Sequence, residues 1–461
     1  SMDKSVESVI RAHDGAMKPG DAFAINAPYN GGTHLPDITI VTPVFDEAGK
    51  DILFFVASRG HHADIGGIAP GSMSPNAKHI DEEGVYIDGV KIVEAGRFLD
   101  SQVRGLLTGA RYPVRNVEQN LGDLRAQIAA NNRGATELLR MVKTYGLGVV
   151  HAYMGHVQDN AAESVAQVIE TLNDCSFSYE MDQGCSIHVA ITVDKQNRRA
   201  RVDFTGTSPQ RADNFNAPEP VTQAAVLYVF RTLVQDRIPL NAGCLRNIDI
   251  VVPKGSMLSP QYPAAVVAGN VEVSQAVTDC LYGALGVLAA AQGTMNNLTF
   301  GDDTYQYYET ICSGAPAGRG FNGADAVHTH MTNSRLTDPE VLEFRYPVVL
   351  EDFHIRPQSG GKGRWNSGDG VSRTIRFLQP MDCALLSGHR RIPPFGLEGG
   401  GDGEIGENSV RRLDGRIEIM AGSMQTRLAA GEAITVKTPT GGGFGKPEAA
   451  AEQSPGDKNA T

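Results

Sequence analysis

The stretch from Asp37 to Arg59 constrains the fold of this chain more than any other. "DITIVTPVF" (37–45) and "DILFFVASR" (51–59) are apolar, β-branched and aromatic runs on either side of "DEAGK" (46–50). Short runs of this kind, bounded by an Asp/Gly turn, read as two strands of an antiparallel hairpin. With the turn centred near Ala48–Gly49, pairing outward sets Asp37 opposite Gly60 and brings His34 near Ala63. The open end of the hairpin therefore collects "THLPD" (33–37) and "GHHAD" (60–64). Pro36 keeps the first of these out of a helix, because it lacks an amide donor and biases its predecessor toward extended geometry. Three imidazoles (His34, His61, His62) and two carboxylates (Asp37, Asp64) are expected in one small volume.

That set is an inventory of metal ligands. Strand alternation points His61 and His62 to opposite faces and puts His62 and Asp64 on the same one, so at most one of the adjacent histidines is a ligand. A mixed His/carboxylate site with few protein ligands suits a catalytic zinc, manganese or iron with positions left open. Gly31, Gly32, Gly60, Gly66 and Gly67 would let backbone approach such a site closely. The competing reading is that these groups only cap turns and bond one another.

The chain around the hairpin alternates in character. A β-rich unit runs to about Phe98. Residues 116–174 carry apolar side chains at helical spacing (Leu121, Leu124, Ile128; Leu138, Met141, Val142) and read as two helices joined around Tyr145–Gly146 in an antiparallel hairpin. "SIHVAITVDKQNRRARVDFTG" (186–206) reads as a β-hairpin, 220–233 and 271–291 as helices, and the chain beyond Leu298 as short strands and glycine-rich loops. The 52 glycines mean many tight turns and close backbone approaches. The expected fold is mixed α/β (α+β), with β-rich layers around a helical hairpin in one large unit over residues 1–447. A disordered tail is expected over 448–461.

Composition narrows the function. A formal charge of −12 argues against a nucleic-acid or anionic-membrane partner, and no apolar run reaches transmembrane length. The six scattered cysteines lack zinc-ribbon spacing and read as reduced thiols of a cytoplasmic protein, with Cys312 a core thiol. "VDFTGTSPQ" (202–209) reads as a turn, and with no GxxxxGK[ST] loop ATP is not expected to bind here. "GGGFG" (441–445) is either an anion cradle or a structural turn. Glu309 is a candidate general base or supporting carboxylate, Arg335 could pair with a substrate carboxylate, and Asn333 lies beside it. Asn270 and Glu272 read as residues opening a helix.

"APYNGGTHLPDITIVTPVF", "FFVASRGHHADIGGIAPGSMSP", "NLGDLRAQIAANNRG", "GLGVVHAYMGHVQDNA", "GNVEVSQAVTDCLYGALG" and "HMTNSRLTDPEVLE" resemble the hydantoinase B/oxoprolinase family, most of all its oxoprolinase branch. The resemblance runs from about Ser1 to Pro447. It implies the hydrolytic, metal-containing part of an ATP-dependent cyclic amidase. Its metal would be held by His34, Asp37 and one of His61 or His62, with His62 favoured. The neighbouring His61 or Asp64 would then orient a water or take its proton. ATP would be used by a hydantoinase A-like ATPase domain or subunit, and the assembly is expected to be an oligomer acting on a small molecule. Related alternatives are a hydantoinase or ketone-carboxylase subunit, and a different one is a non-catalytic scaffold for the ATPase. Two departures stand out: the family region upstream of the "GSM" motif is missing, which suggests a fragment or split gene, and Thr440 stands where the family usually has glycine.

Overall fold

The computed structural model describes residues 2–447; the tail expected to be disordered, 448–461, lies outside them. Helix α1 (Met2–Ala12) precedes a sheet of β1 (Ala22–Ile25), β2 (Asp37–Phe45), β3 (Ile52–His61), β4 (Val90–Glu94) and β5 (Arg97–Phe98), in the order β3-β2-β1-β4-β5. Helices α2 (Asp100–Thr108), α3 (Val117–Tyr145) and α4 (Leu147–Thr171) follow. A second sheet takes β6 (Cys175–Glu180), β7 (Ser186–Asp194), β8 (Arg199–Asp203) and β9 (Ile248–Val251) in sequence order, with α5 (Glu219–Leu233) crossing between β8 and the parallel β9. After α6 (Ser274–Leu285) come β10 (Asn297–Gly301), β11 (Gln306–Glu309), α7 (Pro339–Arg345), β12 (Val348–Ile355), β13 (Val371–Phe377) and β14 (Met381–Leu386). The last strands are β15 (Glu407–Arg411), β16 (Ile417–Met420), β17 (Ser423–Leu428) and β18 (Ala433–Lys437). They complete two interleaved sheets, β11-β10-β14-β17 and β12-β13-β18-β15-β16. The architecture is the expected mixed α/β unit.

Helices α3 and α4 meet at Gly146, and each serves a different sheet. Asn116 caps α3 by accepting from the Gln119 amide at 3.2 Å. From there α3 lies on β2 and β3, while α4 packs against α5 and β8. The α3 face toward the hairpin is not purely apolar. Asn120, Gln127 and Asn131, at spacings that keep them on one side of a helix, are all buried there. Gln127 Nε2 donates to the Ile38 carbonyl at 2.9 Å, and Asn131 Nδ2 to the Ile40 carbonyl at 3.0 Å. These amides satisfy strand carbonyls and lock the helix to one register of the hairpin.

Two local departures from the sequence reading have plain causes. The helix expected over 271–291 begins as a π-helical turn, Gly269–Val273, and α6 stops at Leu285 because Gly286 adopts φ 67° and caps it. Of the glycines expected to admit a ligand, Gly31, Gly32, Gly66 and Gly67 instead admit other backbone, and Gly60 faces the Gln127 side chain. A Cβ on Gly66 would lie 2.2 Å from the Tyr112 carbonyl, and one on Gly32 would lie 2.4 Å from that of Asn26. The same holds at the C-terminal "GGGFG", where a Cβ on Gly442 would meet the Phe395 carbonyl at 2.0 Å. Thr440, in the same loop, is buried and donates to the Ser359 carbonyl at 2.6 Å. All six cysteines are free and five are buried, Cys312 among them. Among the described residues no helix is long and apolar enough to cross a membrane.

Candidate functional site

The β2–β3 hairpin forms with one residue more than its turn implies. Phe45 pairs with Ile52, as counting outward from the turn requires, but Val44 pairs with Phe54, so Leu53 is an extra residue on β3. This bulge advances the register by one. Asp37 consequently faces His61 rather than Gly60.

That shift decides which histidine joins His34 and Asp37. Asp37 Oδ1 lies 3.0 Å from His61 Nδ1, and its Oδ2 lies 3.3 Å from His34 Nδ1. One ligand atom from each of His34, Asp37 and His61 falls within 4.8 Å of the others, a spacing one metal ion can bridge. His34 is only 1% exposed, and neither of its ring nitrogens has a hydrogen-bond partner. A buried imidazole with no partner is costly unless something else engages it, so the donor set fits a metal. The chemistry agrees, since imidazole and carboxylate are ligands for zinc, manganese and iron.

His62, the expected third ligand, points the other way and is fully occupied. It accepts at Nδ1 from Asn120 Nδ2 at 3.0 Å and faces Gln127 Oε1 from Nε2 at 3.2 Å. Gln127 spends its own amide hydrogens on strand carbonyls, so its oxygen receives the His62 Nε2 proton. His62 is thus a neutral, satisfied core histidine that ties α3 to the hairpin. Asp64, a candidate for orienting water, accepts from Arg115 Nη1 at 2.9 Å and from the amides of Gly66, Gly71 and Arg115 at 3.0–3.2 Å. It organises the loop after β3 and does not reach the triad. Glu309, the candidate base, is buried in a bidentate pair with Arg373 at 2.8 and 3.0 Å and accepts from the Tyr307 hydroxyl at 2.7 Å.

The triad opens into a cleft of about 510 Å³. Its polar lining includes Thr33, His34, Asp37, His61, Arg59 and, from the segment before α7, Asn333. The lining is also apolar in part, through Val221 and Ala224 of α5, Val271 of the π-turn, Met295, Met331 and the ring of Tyr308. Arg335 is exposed and is not among the lining residues, whereas Arg59 is. Arg59 is fixed by hydrogen bonds to Thr39 Oγ1 at 2.7 Å and Ser5 Oγ at 2.8 Å. Arg59, Met295 and Tyr308 went unnoticed in the sequence. Arg59 carried a legible signal, since two-residue alternation along β3 puts it on the same face as His61.

Electrostatics keep the triad ready for a cation. Burial pushes the His34 imidazole down to about 4, against the pull of Asp37. Burial works to raise Asp37, but His34, His61 and Arg59 together hold its carboxyl below the usual carboxylate range. Neutral imidazole beside ionised carboxylate is the protonation state that ligation needs. A pH effect follows. An unfolded histidine protonates below about 6.5, while folded His34 stays neutral to about 4. The unfolded state therefore binds more protons in that window, and stability falls as pH falls through it. Burial of His62 and His389 acts in the same direction. Urea midpoints of metal-stripped protein are expected to drop between pH 7 and pH 4.5, and to drop less in His34→Gln; equal slopes in both would remove His34 as a contributor.

Comparison with known proteins identifies the family. Residues 1–447 match the family model described as hydantoinase B/oxoprolinase. The 5-oxoprolinase 1 of Arabidopsis thaliana is 46% identical over 96% of this chain and 37% of its own length. The 5-oxoprolinase of Dictyostelium discoideum is 43% identical over 97% of this chain and 36% of its own. The chain thus spans a little over a third of the length of these relatives, 37% and 36%. The crystal structure of ATP-dependent caprolactamase from Pseudomonas jessenii superposes with a TM-score of 0.84 at 24% identity, covering 96% of this chain and 80% of that one, and shares the fold. The chain belongs to the hydantoinase B/oxoprolinase family.

Proposed function

We propose that this chain is the hydrolytic part of an ATP-dependent cyclic-amide hydrolase of the 5-oxoprolinase type. It would act with a hydantoinase A-like ATPase domain or subunit to convert 5-oxo-L-proline, ATP and two waters into L-glutamate, ADP and phosphate. The observation that carries the reading is the His34–Asp37–His61 group lining a cleft of mixed polar and apolar character, in a chain 46% identical to a 5-oxoprolinase.

A lactam carbonyl is a poor electrophile, and phosphorylation of its oxygen by the ATPase partner turns that oxygen into part of a good leaving group. His34, Asp37 and His61 would hold a divalent ion of zinc, manganese or iron, which supplies Lewis acidity to a carbonyl and lowers the pKa of water. The remaining work belongs to the chain. Val271, Met295 and Tyr308 offer an apolar surface to ring methylenes and exclude water from them. Arg59, pinned by Thr39 and Ser5, presents a fixed positive charge to a carboxylate on the substrate. Asn333 offers the cleft an amide donor and acceptor.

The test is ATP hydrolysis measured with the A-type partner present and 5-oxo-L-proline, a hydantoin or a small ketone added. Stimulation by 5-oxo-L-proline with stoichiometric glutamate supports the proposal. Stimulation by hydantoins or ketones alone transfers the chain to another substrate branch, and full activity in a partner mixed with His34→Ala chain would leave it a scaffold.

A further inference from the structure

The imidazole of His61 has one hydrogen bond to steady it, from Nδ1 to Asp37. A single bond leaves a ring free to rotate about it. Here the ring also lies against two others, His34 at 5.3 Å between centroids and Tyr308 at 5.0 Å, the latter inclined by only 30°. Tyr308 is itself anchored. Its hydroxyl donates to Asn297 Oδ1 at 2.9 Å, and Asn297 Nδ2 donates to Glu272 Oε1 at 2.8 Å and to the Leu386 carbonyl at 2.7 Å. Glu272, 1% exposed, uses the same oxygen to accept from Thr294 Oγ1 at 2.9 Å and from the Met295 amide at 3.1 Å.

Glu272 sits in the π-helical turn Gly269–Val273. Its neighbours Asn270 and Val271 line the cleft, as does Met295, whose amide it holds. Single π-turns within helices are frequent at functional sites. A helix start read from sequence explains Glu272 as a dipole partner, but a surface role of that kind does not need a buried carboxylate gripping three donors from another segment.

We infer that Tyr308 is a positioning residue for His61, and that Glu272, through Asn297, sets that ring and the apolar lining of the cleft in one register. This rests on the reading that His34, Asp37 and His61 hold a divalent metal. The strut fixes the plane of one ligand ring with the same carboxylate that holds the Met295 amide and adjoins Val271 in the π-turn. The phenol is committed to Asn297, so its contribution is geometric.

The experiment uses the full chain, stripped with chelator and titrated with zinc alone in competition with a chromophoric chelator, beside the visible spectrum of the cobalt-loaded protein. Tyr308→Leu, which removes the stack, is expected to weaken zinc binding by about 10-fold or more, the range seen when groups supporting metal ligands are removed. Tyr308→Phe keeps the ring and loses its anchor, and is expected to weaken binding about threefold, as loss of one neutral hydrogen bond would. Both are expected to alter the cobalt spectrum. Should Tyr308→Leu fail to fold, the Phe variant decides alone. Zinc affinity and cobalt spectrum unchanged in the folded variants, with the parent chain binding one zinc, would overturn the positioning role and leave the metal reading standing. No zinc bound by the parent chain would overturn both.

Discussion

Asp37→Ala is expected to lose divalent metal, with affinity for zinc or manganese weaker by on the order of 100-fold or more. Changes one bond removed from a metal cost 10–100-fold, so loss of a ligand sets at least the upper end of that range. Asp37 is the central member of the group, facing His61 through one oxygen and His34 through the other. Removing it dissolves both relations together. The fold is expected to survive, because His34 is already neutral and its burial does not depend on a counter-charge. Metal content of the purified variant, measured beside a thermal melt, separates loss of the site from loss of the protein. His62→Gln makes the contrast, since it leaves His34, Asp37 and His61 in place and is expected to keep its metal.

The largest expected loss of stability lies elsewhere, at Arg373. Its guanidinium and the Glu309 carboxylate are each 1% exposed and meet through two hydrogen bonds of 2.8 and 3.0 Å. Arg373→Met leaves Glu309 buried without its partner, and breaking a buried pair in this way costs about 3–5 kcal/mol. The double variant Glu309→Leu with Arg373→Met removes both charges and is expected to recover most of that loss, because the desolvation cost disappears with the attraction. Urea unfolding of the three proteins measures this. The result also bears on function. If Glu309 were a general base, Glu309→Gln would lower turnover while leaving stability nearly intact; the reverse is expected.

What could be read beforehand followed the physics of local pattern. The hairpin, the helical pair meeting at Gly146 and the gathering of histidines and carboxylates at one sheet end all follow from alternation, helical period and turn chemistry. The identity of the third member of the site did not, because it turns on a single bulge at Leu53, and nothing in "DILFFVASR" marks one residue as extra. The stripe Asn120, Gln127 and Asn131 was visible as spacing, but its meaning required knowing which strand carbonyls lay beneath it. Those amides are also why His62 is unavailable as a ligand. Tyr308 of β11 and Met295, just before β10, reach the cleft from more than two hundred residues beyond the hairpin in sequence, and only tertiary packing brings them there. Glu309 and Asp64 looked chemically free in the sequence because their arginine partners, Arg373 and Arg115, are distant along the chain.

Diffraction from crystals soaked in zinc or manganese and recorded at the metal absorption edge tests the central claim most directly. One anomalous peak is expected within bonding distance of His34, Asp37 and His61. An empty triad, with metal bound nowhere or at another pair such as the buried His330 and Asp279, 3.3 Å apart, would contradict it.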